Sequence, residues 1–429
     1  MARGQAGRGA YGLAVRPTGG VQDMAGIERH RVPAIVLGRG PTALGMLRCI
    51  QMAGIPCTVA APSGDHVAHS RWFLPTPGPK PWQGQLGEEG WSALRQLPLD
   101  KAVIIPGADD AALWLTTLPD DLAARFATSN SSASTQAVLQ DKSSFAALVS
   151  ELAVPHPRTY RIDVEADLDQ VPFDQLDRVF VKPVNSQAFS DMTGAKGFWV
   201  ATRLELRDTW RRFDGMGFRV MVQEYVPGPP DAHVFVDGFR DAKGNITALF
   251  ARRRVRISPP DFGNSSYCHS IALGDIPDAV QDVTRLLAHV DYRGIFSAEF
   301  KHDRRDGVHR ILEVNTRAWT YVEFAARCGV NVCEMAYADA LGLPVSAASS
   351  AYPLGKGCVD LYRDLGTVWA QRKQGNWPWH TVLAQWAGAY YHSFRWDDPG
   401  PALHFVGELA ARTVGRMHAA VPRQAGSSA

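Results

Sequence analysis

Two apolar runs, FSAEFKH (296–302) and HRILEVNTR (309–317), flank the turn signal RRDG, and each carries a single carboxylate near its middle. In an extended chain alternate side chains share a face. Glu313, Asn315 and Arg317 then point one way while Leu312 and Val314 point the other. A hairpin symmetric about Asp306 sets Glu299 directly opposite Glu313, because residues whose numbers sum to 612 pair. Facing carboxylates repel unless a cation lies between them. A sheet with one solvated face would place polar residues in the same way, so the rest of the chain has to discriminate.

Glu299 and Glu313, with the amide oxygen of Asn315 one step along the same face and no Cys or His ligand beside them, suit a hard ion such as Mg²⁺ better than zinc. A hard ion held this sparsely keeps positions for phosphate oxygens, which makes a nucleoside triphosphate the natural partner. Arg317 is then placed to contact a transferring phosphoryl group.

Other segments can be read against that possibility. Lys182 ends the apolar run VFVKPV, where an amine is costly without an anionic partner. Lys142 opens a helix in QDKSSF, where a solvated surface lysine looks the same. The loop 185–197, NSQAFSDMTGAKG, either closes over phosphates or is a plain hairpin loop. In MVQEYVPG (221–228) a strand ends at a Pro-Gly turn; exposed backbone there can pair with an adenine edge, and Glu224 can accept from its amine. The run RRRVRI alternates Arg252, Arg254 and Arg256 on one face, either as a solvated edge strand or as an anion-binding row. His233 and His269 read as core or surface histidines.

The remaining chain divides into regions. Residues 1–30, rich in Gly and Arg, lack the apolar stretch of a signal peptide and read as a disordered lead-in. At 32–62 a strand, a glycine-containing turn, a helix over about 42–53 and a second strand make a βαβ unit. Its glycines, Gly38, Gly40 and Gly45, miss the dinucleotide-binding spacing, and the second strand ends in AAPSGD without an acid placed for a ribose. From 128 onwards, many strands with helices near 141–152, 203–213 and 277–290 predict an α+β domain with a large mixed or antiparallel sheet. After about 345 an aromatic-rich, mostly helical region reads as a cap on the main domains.

A net charge of +2 argues against nucleic-acid binding through a large positive field. No apolar run approaches the roughly 20 residues of a membrane helix. The six cysteines form no CxxC pair and read as reduced core thiols of a cytoplasmic protein.

Taken in order, DK at 141–142, VKP at 181–183, QEYVPG at 223–228, SAEF at 297–300 and LEVNTR at 312–317 resemble the ATP-grasp superfamily. VKPVNSQAFSDMTGAKGFWV and RRRVRISPPDFGNSS are most similar to carboxylate–amine ligases related to D-aspartate ligase. The resemblance implies a multidomain α/β and α+β protein. Residues 31–127 form a Rossmann-like pre-ATP-grasp domain, 128–345 an ATP-grasp domain and 346–429 a mostly helical C-terminal region. It implies Lys142 and Lys182 at the nucleotide phosphates, Gln223, Glu224, Tyr225 and Val226 around adenine, and Asp231 at the ribose. Glu299, Glu313 and Asn315 correspond to ligands of Mg²⁺ or Mn²⁺, and Arg254, Arg256 and Arg317 lie near the γ-phosphate and an acyl phosphate. The implied reaction consumes ATP to join a small carboxylate, such as an amino acid, to an amine; a homodimer is common among such proteins. The alternative is an ATP-binding scaffold without turnover.

Overall fold

The computed structural model describes residues 32–176, 178–183, 197–259, 263–374 and 377–409. The lead-in expected over 1–30 and all of the loop 185–197 except Gly197 lie outside the described residues. Three sheets organise the chain. β1 (Ala34–Leu37), β2 (Cys57–Ala60), β3 (Ala102–Pro106) and β4 (Phe126–Ala127) form a parallel sheet ordered β2-β1-β3-β4. β1 and β3 are buried throughout, as expected for parallel strands covered on both faces.

Helix Gly40–Met52 follows β1 and has Pro41 in its first turn, where a missing N–H costs nothing. Gly40 holds a φ of +60°, which glycine adopts readily, and its N–H donates to both carboxylate oxygens of Asp65 at 2.9 Å. Asp65 therefore fills the helix N-terminus where a dinucleotide pyrophosphate would sit, in agreement with the unsuitable glycine spacing.

A second sheet, antiparallel and ordered β5-β8-β6-β7, is built from β5 (Thr159–Ile162), β6 (Val179–Pro183), β7 (Phe198–Val200) and β8 (Val220–Glu224). Helix Arg203–Asp214 turns Leu206 and Phe213 into the apolar side of this sheet.

The third sheet has seven strands ordered β13-β12-β9-β10-β11-β14-β15. They are β9 (His233–Arg240), β10 (Ile246–Ser258), β11 (Asn264–Ile271), β12 (Gly294–Asp303), β13 (Val308–Asn315), β14 (Gly357–Val359) and β15 (Tyr390–Tyr391). Its two faces differ in chemistry. Val234, Val236, Ala251, Phe296, Ala298 and Val314 point to one side, against Ala279, Val283, Leu286 and Leu287 of helix Pro277–His289. Their neighbours in the sequence, Phe235, Asp237, Arg252, Ser297 and Glu299, share the opposite, polar side because of the period of two.

The region after 345 is mostly helical, with Leu361–Gln371, Trp379–Gly388 and a further helix from 400. It also adds β14 and β15 to the large sheet, so it shares backbone hydrogen bonds with the core as well as covering it. β11 was not anticipated, because NSSYCHSI shows little apolar alternation; it is held from both sides by β10 and β14. All six cysteines are buried and free. No helix among the described residues is long and apolar enough to cross a membrane.

His392 lies fully inside the junction between the C-terminal region and helix Gly40–Met52. Burial, reinforced by the nearby Arg48 charge, lowers its pKa from 6.5 to about 3. The unfolded chain binds this proton below pH 6.5 and the fold does not, so stability falls as pH drops from 6.5 towards 3. By pH 5 the expected loss is about 2 kcal/mol relative to pH 7. Burial lowers the pKa of His233 as well and adds a loss of the same sign, so urea unfolding at the two pH values should show a fall in stability that is smaller by about 2 kcal/mol in His392→Gln than in the wild type.

Candidate active site

The polar side of the large sheet brings the two acidic strands together. Glu299 on β12 lies directly across from Glu313 on β13, and Ser297 across from Asn315. The pairing is the expected one, reached by a different route. The turn spans Arg304 to Gly307, with Asp303 paired to Val308, and this sets a register one residue short. A bulge at Leu312, between the pairs Phe300–Ile311 and Glu299–Glu313, restores it. Leu312 consequently leaves the core side and is half-exposed, contrary to the strict alternation expected of this strand, and Glu313 is exposed.

Glu299 is mostly enclosed. Its Oε1 accepts from His233 Nδ1 at 2.7 Å and lies 3.1 Å from Arg254 Nη2. Oε2 has no partner among the described residues. Burial pushes this carboxyl up, but the Arg254 charge and the His233 hydrogen bond outweigh it and hold the group well below the usual carboxylate range. Burial also lowers the His233 pKa to about 4, although the Glu299 hydrogen bond pulls it up, so His233 donates as a neutral imidazole. Sequence reasoning missed this role of His233. The available signal was its place in the alternation His233, Phe235, Asp237, which puts it on the polar side.

On β13 the Asn315 side-chain nitrogen faces Glu313 Oε1 at 3.3 Å, and Oδ1 accepts from Arg317 Nη2 at 3.0 Å. Arg317 Nη2 also meets Asp109 Oδ2 at 3.1 Å, while its buried Nε–H has no partner among the described residues. Arg254, Glu299, Glu313, Asn315, Arg317 and Asp109 thus form one continuous polar line.

The arginine row is divided. Arg252 pairs with buried Asp237, which also accepts from Ser297. Arg254 reaches Glu299. The β10–β11 register shifts between Arg254 and Arg256, and Arg256 is fully committed elsewhere. Its Nε and Nη2 bond Asp364 at 2.8 and 2.7 Å, and Nη1 bonds Gln385. The guanidinium of Arg256, which the resemblance places near the γ-phosphate, here joins the C-terminal helices to the sheet through Asp364 and Gln385.

On the second sheet, Lys182 Nζ donates to Gln223 Oε1 at 2.9 Å, and Gln223 Nε2 in turn donates to Thr159 Oγ1. Glu224 is buried, with Oε1 accepting from Arg305 Nη1 at 2.6 Å and Oε2 from the Arg158 N–H at 3.3 Å. Each oxygen of this carboxylate, which the resemblance places near adenine, thus already has one donor in the protein. The N–H of Tyr225 donates to Arg178 O, whereas Val226 N–H has no backbone partner among the described residues. The Tyr225 ring packs on Trp199, with Lys301 Nζ 4.1 Å from its centroid.

Arg305 and Lys301 tie the two halves together. Arg305 belongs to the turn of the acidic hairpin, and Lys301 stands two residues from Glu299 on the same strand. Lys142 begins helix Lys142–Glu151, whose N-terminus Asp141 caps by accepting from Ser144 N–H. Asp231 is exposed in a short turn, and its backbone oxygen accepts from Arg253.

No group of three His, Cys, Asp or Glu side chains converges among the described residues. Two facing carboxylates nevertheless match a hard ion that takes its remaining oxygens from elsewhere. Glu299 and Glu313 fit that role as they stand. Asn315 presents nitrogen to Glu313 and needs its amide turned over to offer oxygen.

No family model matches the chain. It is 23% identical over 212 residues to a D-aspartate ligase of Enterococcus faecium, a match covering 47% of this chain and about half the length, 49%, of that relative. Among solved structures, carboxyaminoimidazole ribonucleotide synthase from Aspergillus clavatus complexed with ATP superposes with a TM-score of 0.57 at 12% identity, over 77% of this chain and 81% of that one. N5-carboxyaminoimidazole synthetase from Staphylococcus aureus gives 0.58 at 14% identity, over 81% and 87%. L-amino acid ligase from Bacillus licheniformis gives 0.55 at 16% identity, over 77% and 79%. This chain, with its parallel N-terminal sheet followed by a small antiparallel and a large, mostly antiparallel sheet, shares its fold with these proteins, the ATP-grasp fold.

Proposed function

We propose that this protein is an ATP- and Mg²⁺-dependent carboxylate–amine ligase acting on small molecules. The observation that carries the reading is the register placing Glu299 opposite Glu313, with Arg254 and Arg317 at the two ends of the same polar line. The D-aspartate ligase and L-amino acid ligase named among the similar proteins support the same reaction class.

Glu299 and Glu313 would hold the metal, with Asn315 joining after its amide turns. Bound there, Mg²⁺ neutralises phosphate charge and aligns the triphosphate. Lys182, oriented by Gln223, and Lys142 contact phosphate oxygens, and the backbone at Val226 meets the adenine edge. Asp231 is the acid that this reading assigns to the ribose. A substrate carboxylate attacks the γ-phosphorus of ATP, the bond to the ADP oxygen breaks, and an acyl phosphate forms. An amine then displaces phosphate to give the amide. Arg317 and Arg254 offset the charge that spreads over the transferring group, and His233 keeps the Glu299 carboxylate in place. Phosphoryl transfer needs alignment and charge neutralisation more than a protein nucleophile.

The reading predicts ADP release that requires Mg²⁺, a carboxylate and an amine together. Steady ADP release indifferent to both organic substrates would contradict it, as would thermal protection by NADH and none by ATP with Mg²⁺.

A further inference from the structure

Arg317 is held from outside its own sheet. Its Nη2 donates to Asp109 Oδ2 at 3.1 Å as well as to Asn315 Oδ1 at 3.0 Å, and its Nη1 donates to the Ala318 carbonyl at 3.0 Å. Asp109 stands in the first turn of helix Asp109–Leu115, three residues beyond the end of β3, so this carboxylate reaches the acidic hairpin from the N-terminal sheet. Gln140, at the end of helix Ala133–Gln140, grips both sides of the contact. Its Nε2 bonds the Asp109 carbonyl at 3.1 Å and Oγ1 of Thr316, the residue before Arg317, at 3.0 Å.

Stability alone does not account for the pair. The side chains of Arg317 and Asp109 are 20% and 42% exposed, and ion pairs this open to water add little to folding. The N-terminal sheet is already joined to the rest of the chain by Arg48, whose buried guanidinium meets Glu323 and Asp398. Among the described residues the Asp109 side chain bonds only Arg317, and its Oδ1 is buried without a partner. A geometric duty remains. When Asn315 turns its amide to offer oxygen to the metal, Arg317 Nη2 loses the Oδ1 acceptor. Asp109 Oδ2 and the Ala318 carbonyl are then the contacts that hold the guanidinium, and of these Asp109 is the anion. The hydrogen released from Asn315 becomes available to an oxygen of the transferring group.

We infer that Asp109 is a positioning residue, supplied by the N-terminal sheet, that keeps the Arg317 guanidinium aimed at the γ-phosphoryl group once Asn315 has turned to the metal. The inference rests on the ligase reading, which places Arg317 there, and extends that site to a second sheet. Asp109 itself exchanges no proton and touches no substrate. Its whole effect passes through Arg317.

The test is a double-mutant cycle on the full chain with Asp109→Ala and Arg317→Ala. Equilibrium binding of a non-hydrolysable ATP analogue and of ADP, each with Mg²⁺, is read alongside carboxylate-dependent hydroxamate formation. Asp109→Ala should lower kcat about 10- to 100-fold, the weight of a misaimed group at the reacting centre, and change the KM for the carboxylate less than about 3-fold. It should weaken the ATP analogue about 10-fold and leave ADP unchanged, because only the analogue carries a γ-phosphate. In the Arg317→Ala background the same substitution should have no further effect. Asp109→Glu, which keeps the anion, should recover most of the loss, and the urea midpoint of each Asp109 variant should match the wild type. Equal losses in both backgrounds overturn the inference, as does equal weakening of ADP and the analogue. Wild-type hydroxamate formation that is undiminished in Asp109→Ala overturns it and leaves the ligase reading standing. Preference for the analogue over ADP that is lost in Asp109→Ala, with no hydroxamate from any carboxylate, supports the positioning role and contradicts the ligase reading.

Discussion

Glu299→Gln is expected to reduce carboxylate-dependent ADP release about 10²- to 10⁴-fold, the rate equivalent of several kcal/mol of lost charge stabilisation. The substitution keeps the size of the side chain but removes the charge that Arg254 and His233 hold in place. An amide there cannot help to hold a hard cation against the triphosphate, and it leaves Arg254 facing a neutral group. A modest loss of stability should therefore accompany the loss of rate, about 1–3 kcal/mol for a buried charge contact weakened on one side. Glu313→Gln separates the two effects. Glu313 is exposed and, among the described residues, its one side-chain hydrogen bond is with Asn315, so stability should stay within about 0.5 kcal/mol while activity falls comparably. Kinetic assays with urea unfolding of both variants check the pair; full activity in either one removes the metal role from that residue.

Arg48→Ala should cost about 3–5 kcal/mol of folding stability, the usual consequence of removing one partner from a buried ion cluster. Arg48 has no exposed surface although it lies on a helix of the N-terminal sheet. Its guanidinium reaches Asp398 at 2.9 Å, Glu323 at 3.1 Å, and the carbonyls of His392, Ser393 and Asp398. Asp398 also accepts from Ser70 Oγ and the Arg71 N–H. One side chain therefore joins the first sheet, the helix after the acidic hairpin and the C-terminal region. Its loss leaves two carboxylates enclosed, with Arg395 compensating only at Glu323. Denaturant unfolding checks the prediction, and a midpoint close to wild type would show that the cluster is replaceable.

What the sequence made legible depended on how local the cause was. The facing of Glu299 and Glu313 followed from one hairpin and a period of two. Even the bulge at Leu312 left that pairing intact, because it compensated for the turn rather than adding to it. The arginine row was less legible: alternation put Arg252, Arg254 and Arg256 in one line, but a register shift and a distant acid, Asp364, decided where Arg256 went. Glu224 shows the same limit. Nothing near it in the chain announces Arg305, which arrives from the turn of another sheet. Arg48 could not be read at all, since its partners lie 275 and 350 residues away. His233 was readable in principle from its strand position, but only once β9 was known to run beside β12.

Hydroxylamine trapping tests the central claim most directly. Purified protein with ATP, Mg²⁺ and pools of amino acids and small carboxylates is assayed for hydroxamate and ADP together, since hydroxylamine intercepts an acyl phosphate whatever the natural amine. The expected result is hydroxamate that depends on one class of carboxylate, equals the ADP formed and vanishes in Glu313→Ala. Mg²⁺-dependent ATP binding with no hydroxamate from any pool would contradict the assignment and leave a protein that binds the nucleotide without activating a carboxylate.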